Sequence, residues 1–186
     1  MSALTNSQLR TVTALKSRTR QVELFETILL TLLGVLMYVS QVIMAQLPNI
    51  EIVSLLIIVV TCIFGVKALC SVYIFVFCEI LTYGFGIWSV NYLYVWAILF
   101  ISVLLTRKFA GREFFAILGG IFGLTFDIFC SIPYFLTTGI AGGISYIISG
   151  FWFNILHCIG NLVLIYLLYN PIRSLLEKTV EKYAKR

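Results

Sequence analysis

Residues Ile50–Tyr83 read IEIVSLLIIVVTCIFGVKALCSVYIFVFCEILTY. How this run divides sets the number of membrane crossings in the whole chain. It is apolar almost throughout, but Gly65-Val66-Lys67 interrupts it. A glycine permits a sharp turn, and a lysine is costly inside hydrocarbon, so the chain is expected to surface here. The run then becomes two short helices, 50–65 and 67–83, sharing a tight connection at Lys67. Glu51 opens the first and Glu79 nearly closes the second.

The rest of the chain supports a membrane setting. It has 186 residues, 61% hydrophobic and 11% charged, with a mean hydropathy of +1.03. So little polar surface cannot cover a water-soluble core, and the bilayer is the expected solvent. A crossing needs about 20 mostly apolar residues. Breaks fall at Pro48-Asn49, Gly65–Lys67, Gly84-Phe85-Gly86, the polar stretch TRKFAGRE (Thr106–Glu113), the Gly- and Thr-rich Thr137–Gly143, and Pro171. They predict an all-α membrane protein of six transmembrane helices: 22–46, 50–65, 67–83, 88–105, 113–135 and 145–169. The organisation is a cytoplasmic segment 1–21, a six-helix membrane domain 22–170 and a tail 171–186. Ile172, Leu175, Leu176, Val180 and Tyr183 make the tail an amphipathic helix or a frayed extension of the sixth span.

Charge sets the direction. Six spans place all 13 Lys and Arg residues on one side, and none in the three loops of the other. The positive-inside rule puts that side, with both termini, in the cytoplasm. The basic balance thus reports orientation in the membrane, and no nucleic acid is expected as a partner.

Buried ionisable groups cost about 2.5–3.5 kcal/mol at a span centre, so each one asks for a reason. Glu51, Glu79, Asn91, Asp127, Asn154 and His157 all fall in the outer half of their spans. Tyr83, Trp88 and Tyr92 stand beside Glu79 and Asn91 in CEILTYGFGIWSVNYLYVW (Cys78–Trp96). Together these nine residues predict an outward-facing ligand pocket with an aromatic wall. The alternatives are local: Glu51 as a charge at a helix N-terminus, Asp127 and Asn154 as interhelical hydrogen-bond partners, His157 as a neutral core histidine, and the aromatics as an interfacial belt. Glu79 lacks such an alternative, because a helix C-terminus disfavours negative charge.

Catalytic signatures are missing. The chain has no phosphate-binding G-x-x-x-x-G-K-[ST] loop, no H-E-x-x-H and no G-x-S-x-G. One histidine cannot build a His-rich metal site, and the five cysteines lie singly in apolar runs. No inverted repeat or filter-like loop marks a self-sufficient transporter or channel. The reading is a non-enzymatic capture protein that needs a partner to drive transport. An intramembrane enzyme or a structural membrane protein is the reading from a different class.

LPNIEIVSLL, YGFGIWSVNYLYVW and GLTFDIFCSIPYF, together with the six-helix layout, resemble an S component of an energy-coupling factor transporter over residues 22–172. The resemblance implies a vitamin ligand taken up at the outer face, a transmembrane coupling subunit and two ATPase subunits. It implies no cofactor of the chain's own, since ATP is used by the partner subunits. It places a coupling-subunit contact on the first helix at Thr31, Gly34 and Tyr38. Tyr38 departs from the small residue expected there, and Thr31 and Ser40 do not restore the spacing. The aromatic pocket, with no Lys or Arg on its side, points first to cobalamin or a related corrinoid, with pantothenate, a queuosine precursor or another vitamin as alternatives. Glu79→Ala and Asn91→Ala are expected to weaken binding.

Overall fold

The computed structural model describes residues 6–47 and 50–184, with side chains described over 20–47 and 50–183. The break expected at Pro48-Asn49, the basic residues Arg10, Lys16 and Arg18 as side chains, and Lys185 and Arg186 lie outside what is described. The described residues are helical, with no strand among them: α1 Asn6–Met44, α2 Val53–Phe64, α3 Leu69–Tyr83, α4 Ile87–Thr106, α5 Arg112–Cys130 and α6 Ile132–Ala184, with a 3-10 turn at Gly65–Ala68 between α2 and α3.

Side-chain contacts fix the helix directions. Lys67 pairs with Glu26, Ser71 Oγ donates to the Leu30 carbonyl at 2.7 Å, and Tyr38 meets Thr82 at 2.8 Å. Contacts that advance together mean that α1 and α3 run parallel. Glu51 meets His157, Asn161 meets Ser54 and Tyr169 meets Cys62, so α2 and α6 also run parallel. Tyr73 donates to the Leu93 carbonyl while Tyr83 packs on Trp88, making α3 and α4 antiparallel. Arg107 at the end of α4 donates to the Cys62 carbonyl near the end of α2. Hence α2 and α3 are opposed, and the chain reverses at Gly65–Ala68 as the sequence predicts. Lys67, Arg107 and Arg112 share one end of the bundle, called the basic end below.

Five stretches are long and apolar enough to cross a membrane: Arg20–Met44, Val53–Tyr83, Ile87–Thr106, Arg112–Cys130 and Ile132–Tyr183. The second contains both α2 and α3. With 12 residues, α2 spans about 18 Å at 1.5 Å per residue, short of a hydrocarbon core of about 30 Å. It is also the centre of the bundle, since every residue from Val53 to Thr61 is buried. A helix enclosed on all sides is apolar on all sides, which is why this run shows no periodicity.

Gly65 makes the reversal. Its φ of 60° and ψ of −130° belong to glycine, and a Cβ would also lie 2.8 Å from both terminal guanidinium nitrogens of Arg107. Gly65→Ala is expected to destabilise the protein by about 1–3 kcal/mol, through backbone strain and displacement of Arg107. Thermal unfolding in detergent tests this, and an unchanged midpoint would show that the turn relaxes freely.

Two expected boundaries move and one holds. α1 continues as helix through residues 6–21, ahead of the expected start at residue 22. The break expected at Thr137–Gly143 is present: Gly139 (φ 73°, ψ −171°) is non-helical and divides α6 into a short stretch and a long one. The chain reverses here, since Tyr134 stacks on Tyr146 with centroids 4.3 Å apart and a Cβ on Gly143 would meet the Phe135 ring. At Ser131 the backbone stays helical (φ −74°, ψ −15°), so the fifth expected helix continues past Cys130. Thr137 and Thr138 donate their hydroxyls to the Pro133 and Tyr134 carbonyls just before the break. Finally, α6 passes through Pro171 to Ala184. Beyond the proline, Arg173 pairs with Glu177 one turn on, Leu176 is buried, and Tyr183 stacks on Phe25 of α1 with centroids 3.8 Å apart. The tail is therefore held against the bundle.

Candidate functional site

The end of the bundle remote from Lys67 and Arg107 holds a cavity of about 430 Å³. Five of the nine residues expected in a pocket line it: Glu51, Glu79, Tyr83, Tyr92 and His157. Its other walls are Gln41 and Met44 of α1, Ala45, Leu47 and Ile50 after it, Trp96 of α4, Phe126 of α5 and Phe153 of α6. All six helices or their connections contribute to the site.

Glu51 combines two roles that the sequence left as alternatives. Its Oε2 accepts the Ser54 backbone N–H at 2.8 Å, satisfying a free donor in the first turn of α2. Its Oε1 lies 3.2 Å from His157 Nε2. The carboxylate thus ties the start of α2 to the middle of α6. The imidazole is enclosed by Phe126 and Phe122, with ring centroids 5.1 and 6.2 Å away.

His157 can occupy this place because α5 and α6 approach closely. A Cβ on Gly123 would lie 2.8 Å from the His157 carbonyl carbon and 2.9 Å from both its oxygen and the Cys158 nitrogen. Those atoms are backbone and cannot swing aside. One turn deeper, Asn161 Nδ2 bridges the Gly119 carbonyl at 3.1 Å and Ser54 Oγ at 3.3 Å, joining α5, α6 and α2. Polar side chains hold helices together in this way where water is absent.

The aromatic wall is a ladder of edge-to-face rings. Tyr83, Trp88, Tyr92 and Trp96 follow one another with centroid separations of 6.4, 5.4 and 5.6 Å. Such geometry suits the ring quadrupoles. Trp88 stands behind the lining residues and supports Tyr83 and Tyr92. Gln41 Nε2 donates to the Tyr92 hydroxyl at 2.9 Å, fixing the ring from the α1 side.

Asn91, Asp127 and Asn154 share the depth expected of them but turn away from the cavity. Asn91 Oδ1 lies 2.9 Å from the Tyr94 hydroxyl, which also lies 2.7 Å from the Phe129 carbonyl. Asn91 therefore secures α4 to α5. Asp127 presses against Gly150 and is hydrogen-bonded to Asn154, closing the α5–α6 seam. These three act as interhelical ties, the alternative named above for Asp127 and Asn154.

The helix 1 residues are also placed. Gly34 is buried against α3, where a Cβ would lie 2.6 Å from the Ser71 carbonyl oxygen and 2.8 Å from Ile74 Cβ. Tyr38 is bonded to Thr82 of α3. Both face into the bundle, whereas Thr31 is exposed and returns its hydroxyl to Thr27 of its own helix. The close packing at Gly34 is used within this chain.

Sequence reasoning missed Gln41, Met44, Ala45, Leu47, Ile50, Trp96, Phe126 and Phe153 as lining residues. Gln41 had a legible signal, as an amide inside an apolar run. The phenylalanines had none, because a cavity-facing Phe and a lipid-facing Phe look alike in sequence.

Several buried polar atoms around the cavity have no hydrogen-bond partner among the described residues: Glu79 Oε1, Trp96 Nε1 and His157 Nδ1. Glu79 and His157 are each 3% exposed and Trp96 2%. A buried unsatisfied group costs about 1–3 kcal/mol, so residues that carry one and line a cavity make it the candidate binding site. The set offers an acceptor, an N–H donor and an imidazole nitrogen. No family model, characterised protein or solved structure matches the chain.

Proposed function

We propose that this chain is the substrate-capture component of an energy-coupling factor importer in a bacterial-type plasma membrane. In this reading α2 and α3 each cross the bilayer, giving six spans with the basic end in the cytoplasm. The reversal at Gly65–Ala68 supports it, and the local thinning that a 12-residue helix demands is tolerable for a helix fully wrapped by others. The cavity then opens outward. The observation that carries the function is a cavity of about 430 Å³ lined by Glu79, Trp96 and His157, each with a buried polar atom that lacks a hydrogen-bond partner among the described residues. Pockets for small organic ligands run from roughly 300 to 1,000 Å³. The lower part of that range favours a small vitamin over a corrinoid.

The chain's own residues supply capture and no driving force, so transport would require the coupling subunit and two ATPase subunits implied by the resemblance. Thr31 is exposed on α1 and available to such a subunit. Gly34 and Tyr38 contribute only by setting how α1 lies on α3.

Mass spectrometry of small molecules carried through purification, with a pull-down scored for ATPase subunits, tests the proposal. A retained vitamin together with an ATPase is the expected outcome. Recovery of neither, with no binding across a vitamin panel, would overturn it. Recovery of a chemically altered molecule would favour the enzyme reading, for which the Glu51–His157 contact offers an acid–base pair. Within the site, Tyr92→Ala is expected to weaken ligand binding about tenfold or more, because it removes a wall and frees Gln41. Asn91→Ala is expected to leave affinity within about twofold, since Asn91 serves Tyr94 outside the cavity. Equal losses in both would place the ligand elsewhere.

A further inference from the structure

We propose that the ligand is a monocation carried on, or next to, a flat ring. The inference rests on the capture reading for its biological setting but on separate observations for its chemistry. Two carboxylates line the cavity and no Lys or Arg does. They differ in what they already hold. Glu51 accepts the Ser54 N–H with one oxygen and meets His157 with the other, so both of its oxygens have hydrogen-bonding partners in the protein. Glu79 is 3% exposed, lines the cavity, and has an Oε1 without a partner among the described residues. Glu79 is thus the carboxylate with an oxygen left open, and with no Lys or Arg lining the cavity a positive charge beside it is favoured and an anion is repelled.

The walls supply the rest of the recognition. Tyr83, Tyr92 and Trp96 border the same cavity as Glu79. Aromatic side chains attract a cation through their quadrupoles, and the attraction grows when water is excluded. They also accept a flat ring by stacking or edge contact. Phe126 and Phe153 add apolar lining. A carboxylate with an open oxygen and several aromatic side chains on one cavity suit an organic cation, such as an amidinium, an aminopyrimidinium or an aryl ammonium group.

Three probes of nearly equal shape separate charge from shape: benzamidine (cation), benzamide (neutral) and benzoate (anion). Binding is measured by titration calorimetry on the purified full chain in nanodiscs, with no other subunit present. The expected result is benzamidine at least about tenfold tighter than benzamide, and benzoate weakest. Glu79→Gln, which keeps the side chain's size, is expected to abolish that preference while leaving benzamide affinity within about threefold. Equal affinities for benzamidine and benzamide in the unaltered chain would overturn the proposal, showing a neutral Glu79 that simply hydrogen-bonds. Retention of the preference in Glu79→Gln would overturn it as well, because the charge would then be read elsewhere. These outcomes are independent of the importer assignment. Association with ATPase subunits without charge preference defeats only this inference, and charge-selective binding without such association defeats only the importer.

Discussion

Gly123→Val is expected to destabilise the protein by about 3 kcal/mol, the upper range for overpacking, and to abolish ligand binding with it. The reason is what the new side chain would meet. Already the Cβ would stand 2.8–2.9 Å from the His157 carbonyl group and the Cys158 nitrogen. Flexible side chains yield to such an intrusion, but a helix backbone can respond only by moving α6 away from α5. That displacement would break the Asn161 bridge from Gly119 to Ser54 and pull His157 from Glu51. Thermal unfolding followed by fluorescence and size-exclusion in detergent measures the loss. Gly111→Ala is the matched control: the backbone there is extended, and a Cβ would find Glu113 at an ordinary 3.7 Å. A midpoint for Gly123→Val equal to that of the control would show that the α5–α6 seam is looser than its geometry implies.

That seam also shows where sequence reasoning succeeds and stops. Depth along the bundle was legible. Breaks such as Gly65–Lys67 divide the chain, the basic residues gather at one end, and the polar residues of each helix fall into a common layer. Glu51, Glu79 and His157 were placed in that layer and do meet at one cavity. Rotation about each helix axis was not legible. In a soluble protein the polar face of a helix points outward and reveals its orientation. Here the exposed and core-facing surfaces are both apolar, so Asn91, Asp127 and Asn154 could not be told from cavity residues, nor Phe126 and Phe153 from phenylalanines that line no cavity. One helix end was not legible. Pro171 looks like a terminator, but the helix continues because Leu176 and Tyr183 have surfaces to pack on. Tertiary packing overrode local propensity there. The break within Thr137–Gly143 was legible, because Gly139 takes a positive φ that glycine adopts freely.

Glu51→Ala is expected to cost about 2–4 kcal/mol, from two losses that share one side chain. Removing Oε2 leaves the Ser54 N–H at the start of α2 without its acceptor, worth about 0.5–2 kcal/mol by analogy with helix caps. Removing Oε1 leaves His157 Nε2 without a partner, in a ring already lacking one at Nδ1 and 3% exposed. An orphaned buried polar atom costs about 1–3 kcal/mol. Because α2 is the enclosed centre of the bundle, loosening its first turn also disturbs the cavity floor, and ligand affinity is expected to fall with stability. Glu51→Gln separates the two functions of the side chain. Its amide oxygen can accept the Ser54 N–H and its amide nitrogen can donate to His157, so most of the stability is expected to return without the charge. If affinity returns as well, Glu51 acts by positioning α2 and His157, and Glu79 alone carries the charge that the ligand reads. If stability returns but affinity does not, the ligand senses both carboxylates, and the single-charge assignment must be withdrawn. Unfolding midpoints and benzamidine titrations on Glu51→Ala and Glu51→Gln together decide between these outcomes.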